Sequence, residues 1–390
     1  MQPPGNSDAF RNLVQQGRPP VIAQILPALN SGGVEQGVID INKAIVAAGG
    51  TSIVISGGGK RAAEIAAAGG LHIQLPVNTK NPLKMWRNIG LIKKALRAHN
   101  VNILHACSRA PAWSAQFAVK GTAARYVTSC HSAHSISGAL KRFYNSSITK
   151  GERVIAVSRF LEKYLADNYS IDPAIIRVIH RGVEIEKFDP ALVDAAKVAA
   201  TLKSLGIPDG AKVILLPARI TRSKGHKVLI DAIQQLGRTD VIGVLLGSDI
   251  GFENYRQELD EYIREKGMGD YIRIASNIDM PLAYMMATIV AAPSTVPEGF
   301  GRAPIEAQAM GRPVITAAHG GMMETVVPGE TGWLVEPGSA ASLAEALKTA
   351  LALPADVQSG LAARLRDYAR QNFTNERMGK ATLAVYAELL

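Results

Sequence analysis

Residues 298–313 read Glu-Gly-Phe-Gly-Arg-Ala-Pro-Ile-Glu-Ala-Gln-Ala-Met-Gly-Arg-Pro and set two carboxylates, Glu298 and Glu306, eight positions apart. A Gly-Phe-Gly turn and a proline lie between them. Pro304 has the fixed φ favoured at a first helical position, so Glu306 is expected in the first turn of a helix and Glu298 in the loop before it. The backbone N–H groups of such a turn lack partners and carry partial positive charge, which suits a phosphate. A carboxylate beside a phosphate is electrostatically awkward unless a hydroxyl meets it, and a ribose supplies one.

Outward from this segment the chain alternates short apolar runs with helical stretches. Strands are expected at 212–218, 241–246, 289–292 and 313–316 in the second half, and at 21–27, 51–56, 102–106, 126–130 and 153–157 in the first. Helices are expected at 34–48, 83–99, 112–120 and from about His226. Strands alternating with helices at this spacing build parallel βαβ units in doubly wound sheets, an α/β class. A chain of 390 residues is too long for one ordinary core and fits two domains. The expected plan is a loose polar tail over 1–18, a first domain over 19–190, and a second over 191–374. Residues 189–209, with Pro190 and Pro208, read as the connection, and 375–390 as an amphipathic helix. Ligands of such sheets gather beyond the carboxyl ends of the strands, where the motifs of this chain fall.

Net charge is +10 and unevenly placed: residues 1–190 hold 23 Lys and Arg against 11 Asp and Glu, and residues 191–390 hold 20 against 22. An anionic partner for the first domain follows, a membrane surface being favoured over nucleic acid because no zinc-finger spacing or aromatic RNA-binding strand is present. The two cysteines, Cys107 and Cys130, have no metal-ligand spacing and read as reduced thiols of a cytoplasmic protein. No apolar run is long enough to span a bilayer, and the first residues lack a signal core.

Candidate chemistry clusters at strand ends. Arg219 closes the run 212–218 and Lys224 follows in the same loop, Ala-Arg-Ile-Thr-Arg-Ser-Lys-Gly. Arg grips phosphate bidentately and Lys acts as a point charge, although solvated surface charge is the plain alternative. Gly32 and Gly33 join the first strand to the first helix and permit close backbone approach, as a simple tight turn also would. Gly320 and Gly321 repeat the device after 313–316, within His-Gly-Gly-Met-Met-Glu ending at Glu324. His131 follows the strand 126–130, with His134 the competing histidine.

Taken together, these stretches resemble the retaining nucleotide-sugar glycosyltransferases of family 4, from about Val21 onward. The Glu298–Glu306 spacing is similar to that family's Glu-x7-Glu signature. The resemblance implies a GT-B fold, two doubly wound Rossmann-like domains facing across a cleft, with the terminal helix returning to the first domain. It implies catalytic roles for Arg219, Lys224, Glu298 and His131. Gly32, Gly33, Gly299, Phe300, Gly301, Glu306, Gly320 and Gly321 would line the donor nucleotide. Arg219 and Lys224 would stand in for a divalent metal, consistent with the lack of an Asp-x-Asp motif, so neither metal nor cofactor is expected. His131 matches the histidine that contacts the donor sugar. The family is commonly described by a front-face route in which the leaving phosphate helps deprotonate the acceptor. One departure is Arg181-Gly182-Val183-Glu184, where many relatives read Asn-Gly-Val-Asp.

The acceptor side is less defined. Residues 83–99 carry Trp86, Ile89, Ile92 and Leu96 amid Lys84, Arg87, Lys93, Lys94 and Arg97, which reads as a layer helix with a solvated basic face or as a lipid-facing helix. Arg109, Lys141 and Arg142 are the acceptor-side candidates. The stretch from His105 to Trp113 resembles His-x-x-Ser-Arg-Ala-Pro-Ala-Trp of relatives that build lipopolysaccharide. The expected activity is hexosyl transfer from a nucleoside-diphosphate sugar to a glycan or lipid-linked acceptor in cell-envelope assembly, at the inner membrane face. Its rivals are a nucleotide-sugar 2-epimerase and a non-catalytic sugar-nucleotide or nucleic-acid binding protein.

Overall fold

A computed structural model describes residues 8–30 and 32–390. Ser31 of the first glycine loop and the first seven residues of the expected tail lie outside the described residues. The strands are β1 (Val21–Ile25), β2 (Thr51–Ser56), β3 (Leu71–Gln74), β4 (Ile103–Ala106), β5 (Arg125–Cys130), β6 (Arg153–Ala156), β7 (Ile176–Val178), β8 (Lys212–Pro217), β9 (Val241–Leu246), β10 (Ile272–Ala275), β11 (Ile289–Ala292), β12 (Val314–Ala317) and β13 (Trp333–Val335). The α-helices are α1 (Asp8–Gln15), α2 (Gly33–Ala47), α3 (Ala62–Ala67), α4 (Pro82–Ala98), α5 (Arg109–Ala118), α6 (Ala139–Asn145), α7 (Arg159–Tyr169), α8 (Ala195–Ser204), α9 (His226–Leu236), α10 (Glu253–Glu265), α11 (Met280–Met286), α12 (Ala303–Ala309), α13 (Ala340–Leu351), α14 (Ala355–Asn372) and α15 (Asn375–Ala387). They form two compact units, Met1–Gly182 with Asn375–Leu390, and Val183–Thr374.

The first unit holds a seven-stranded sheet in the order β3-β2-β1-β4-β5-β6-β7. Its pairings are parallel, and Ile22 lies beside Ile103 and Ala23 beside Leu104. Side chains alternate along a strand, so one face presents Ile22, Ile103 and Val127 to Ile41 and Ile45 of α2. The other presents Ala23, Ile53 and Leu104 to Ile92 and Leu96 of α4. Both faces are covered, which is why the central strands read as near-continuous apolar runs. Asn81 caps α4 by accepting from the Leu83 and Lys84 amides.

Two features of this unit correct the sequence reading. Residues 8–15, placed in the loose tail, form α1, and Phe10 is fully buried in the core that α15 closes. On α4 the inward stripe is Met85, Asn88, Ile92 and Leu96, whereas Trp86 is 74% exposed. The terminal helix is locked by a buried polar contact: His105 Nδ1 meets the Tyr386 hydroxyl at 2.8 Å while its Nε2 meets Ser129 Oγ at 2.7 Å. Burial pushes the His105 imidazole down to about 3, so it stays neutral.

The second unit holds a six-stranded parallel sheet ordered β10-β9-β8-β11-β12-β13. Leu229 and Ile230 of α9, Leu259 of α10, and Leu343 and Leu347 of α13 pack on Ile214, Leu216 and Leu245. Both sheets reverse strand order beside their first strand, β1/β4 in one and β8/β11 in the other, and such switch points open a ligand crevice at the carboxyl ends. Residues 189–209, expected as the connection, contain α8, capped by Asp194, and the two units divide after Gly182.

Tyr386→Phe removes the hydroxyl that meets His105 Nδ1 and leaves a buried polar atom without that partner, so stability should fall by about 1–3 kcal/mol. The shift in urea midpoint at pH 7 measures it, and an unchanged midpoint would remove the His105–Tyr386 contact from the account.

Candidate active site

The switch point of the second sheet gathers the carboxyl-end loops of β8, β11 and β12. The loop after β8 carries Arg219 and Lys224, and the loop after β11 carries Glu298. Lys224 Nζ lies 2.8 Å from Glu298 Oε2, an ion pair spanning the switch point with side chains 22% and 24% exposed. Glu298 Oε1 accepts from the Ser294 hydroxyl. The loops are also joined through backbone, since the Thr295 amide donates to the Ser223 carbonyl at 2.9 Å. Gly225 has φ +77°, and a Cβ there would run into the Pro293 carbonyl. Only glycine allows this approach. Arg219 is exposed on the same loop.

The loop after β12 supports Glu298 from the other side. The Gly321 amide donates to the Glu298 carbonyl at 2.8 Å. A Cβ on Gly320, at φ +65°, would press on Glu298 backbone, and one on Gly321 would overlap the Gly299 carbonyl. His319 Nε2 lies 2.8 Å from the Ser294 carbonyl, so that nitrogen carries the proton. Ser294 and His319 thus position the first carboxylate, and neither was named as a site residue. His319 was legible as the residue before Gly320-Gly321, whereas Ser294 has no sequence signal.

Helix α12 begins at Ala303, so Pro304 stands second in it and Glu306 in its first turn. Glu306 accepts from the Tyr284 hydroxyl at 2.9 Å and lies 3.2 Å from Arg302. Burial, and then the Glu306 charge, push the Tyr284 phenol well above its ordinary value, so it remains a donor. Gly301, at φ +97°, makes the turn into the helix. Phe300 was expected among the nucleotide contacts. Its ring is 4% exposed and packs on Phe373 at 5.8 Å, anchoring the turn, whose backbone carries the expected contact. Gly299 and Gly301 flank it in that turn.

In the first unit, Gly32 and Gly33 open α2, whose start has no side-chain cap. His131 follows β5. Arg181 joins the two: it donates to the Gly33 carbonyl, and its Nη1 lies 3.3 Å from His131 Nδ1. Burial, then the Arg181 charge, then His105 and His134, hold His131 well below its ordinary value. His134 is pushed down to about 4 by burial and by Arg109 and Lys141. Of the acceptor-side candidates, Arg109 and Lys141 both bear on His134. Arg109 donates to the Asn145 side chain at 2.5 Å and stacks on Tyr144, and Arg142 donates to the Asn168 carbonyl at 2.6 Å. Lys141 is exposed on α6.

The family model for Glycosyl transferases group 1 matches residues 198–372, and that for Glycosyltransferase Family 4 matches residues 31–187. A glycosyltransferase structure from Rickettsia africae shares 36% identity, covering 95% of this chain and 98% of that one at a TM-score of 0.88. The chain therefore belongs to the group 1 glycosyltransferases, with their GT-B fold of two Rossmann-like domains. Among curated relatives, the D-inositol 3-phosphate glycosyltransferase of Salinispora arenicola is 31% identical over 62% of this chain and 56% of its own length. The chain spans about half the length of these curated relatives. Anabaena HepE, solved with UDP and glucose, shares the fold at 22% identity and a TM-score of 0.79, covering 92% of this chain and 96% of that one.

Gly321→Ala drives a methyl group into the Gly299 carbonyl and so displaces Glu298. Affinity for whichever nucleoside diphosphate the wild type binds should fall at least tenfold, about 1.4 kcal/mol, by titration calorimetry. Wild-type affinity in that variant would detach the glycine turn from the site.

Proposed function

We propose that the protein transfers a hexosyl unit from a nucleoside-diphosphate sugar to a hydroxyl of a glycan or lipid-linked acceptor, with retention of configuration and without a divalent metal. The observation that carries this reading is the Lys224–Glu298 pair held across the switch point, with Arg219 on the same loop. Cleavage of the sugar–phosphate bond concentrates negative charge on the departing diphosphate, and Arg219 with Lys224 supply fixed positive charge there. Glu298 receives sugar hydroxyls, Glu306 receives the ribose, and His131 by the family resemblance serves the donor sugar. A double displacement needs a carboxylate at the far face of the anomeric carbon, and no residue was identified for that role. The front-face route fits better: the acceptor oxygen bonds to the anomeric carbon as the phosphate oxygen leaves, and the acceptor proton passes to that phosphate. UDP is the first nucleotide to test, since HepE was solved with it. The curated relatives are named D-inositol 3-phosphate glycosyltransferases, and the distant WaaB and WaaG structures are named for lipopolysaccharide.

A peripheral membrane contact belongs to the same proposal. Among the described residues no helix is long and apolar enough to cross a membrane. The first unit nevertheless exposes Leu83 and Trp86 of α4 beside Lys84 and Arg87, and Leu140 and Phe143 of α6 beside Lys141 and Arg142. Apolar side chains set among cations fit an anionic lipid surface at the inner membrane face.

Two measurements test these readings. In a thermal-shift panel of UDP, GDP, ADP and CMP, one diphosphate at 100 times its Kd should add about 2.7 kcal/mol of stability. EDTA should leave that shift intact and Lys224→Ala should abolish it; no shift from any nucleotide would favour a non-catalytic binding protein. In vesicle sedimentation, the wild type should pellet with vesicles containing phosphatidylglycerol and not with phosphatidylcholine alone. Trp86→Glu with Phe143→Glu should release it, and a wild type that stays in the supernatant contradicts the lipid contact.

A further inference from the structure

Arg181, which opens the stretch Arg181-Gly182-Val183-Glu184, is only 8% exposed. A buried guanidinium needs specific room and specific acceptors. The room is Gly37 of α2, where an added Cβ would collide with all three guanidinium atoms nearest to it. One acceptor is the Gly33 carbonyl at the start of the same helix. The group facing Nη1 is His131 Nδ1, at 3.3 Å.

We infer that Arg181 is a positioning residue that fixes His131 as the neutral Nε2–H tautomer and ties it to the Gly32–Gly33 loop. The argument is one of donors and acceptors. Guanidinium has five N–H donors and no acceptor, so the ring nitrogen that faces it must offer a lone pair. The ring proton then sits on Nε2, which is enclosed and has no hydrogen-bond partner among the described residues. The ring borders a cavity of about 30 Å³ shared with Gln24 and Ser129, space for about one small polar group. An enclosed donor left without a partner is costly, and a ligand hydroxyl or water removes that cost.

The groups bearing on His131 are Arg181, His105 and His134; burial and then the Arg181 charge disfavour a second proton, while His105 and His134 are themselves held neutral. His131 therefore serves as a hydrogen-bond donor and neither as a general base through Nδ1 nor as a cationic acid. This rests on the assignment of His131 to the donor sugar and adds the form in which it acts.

Long-range 1H–15N spectra of the histidine rings in the full-length protein test the inference. Wild-type His131 should show a protonated Nε2, an unprotonated Nδ1 and no titration between pH 5 and pH 8. Arg181→Met should yield a mixed tautomer whose pKa rises, adding an acid limb to the pH–kcat profile that the wild type lacks. Gly37→Ala should reproduce the effect with Arg181 still present, by forcing the guanidinium out. A wild-type ring protonated on Nδ1, or titrating between pH 5 and pH 7, overturns the inference without any variant. Unchanged tautomer in both variants overturns it too. Full turnover in His131→Ala with the expected wild-type spectrum would instead overturn the donor-sugar assignment and leave the tautomer standing.

Discussion

The second unit depends on how closely four backbone turns, after β8, β9, β11 and β12, can approach one another at the carboxyl edge of its sheet. Gly225 lies against the Pro293 carbonyl, Gly320 and Gly321 lie against Glu298 and Gly299, and Gly247 lies against the Ala218 carbonyl. A side chain at any of these places would push the loops apart by more than the length of a hydrogen bond tolerates. Glu298 is consequently held by Lys224, by the Ser294 hydroxyl and through its own carbonyl, all set by backbone. Preorganisation of this kind gives fixed charges their value, because no reorganisation is needed when charge develops on a leaving group.

Electrostatically the two units differ. In the second, cations and carboxylates alternate through the site: Lys224 with Glu298, Arg302 with Glu306. Such pairs leave a cation close by when a diphosphate enters, at the expense of an existing contact. In the first, a buried arginine faces an imidazole, and the outer surface is basic with exposed Leu83, Trp86, Leu140 and Phe143. The uneven charge of the sequence thus has two distinct locations, a buried interior cation and a solvent-facing field.

The central fold was legible because its strands are buried on both faces. The four strands missed in the sequence, β3, β7, β10 and β13, are the four sheet edges, short and only partly buried, so none forms a continuous apolar run. Helix α1 was hidden because its single fully buried anchor, Phe10, sits among polar residues. The places of Glu298 in a loop and Glu306 in a first helical turn were legible from the proline between them, and that of Lys224 from the strand before it. Ser294, Tyr284 and the Arg181–His131 contact were not, since each joins positions distant in sequence through a side chain with no motif.

The central claim is that the Lys224–Glu298 arrangement exists to receive the diphosphate of a sugar nucleotide. A crystal structure of the protein with the nucleoside diphosphate that stabilises it tests this most directly. The account predicts Lys224 Nζ and the Arg219 guanidinium within hydrogen-bond distance of phosphate oxygens, with Glu306 on the ribose hydroxyls. A nucleotide bound elsewhere, with Lys224 still committed to Glu298 alone, would contradict it.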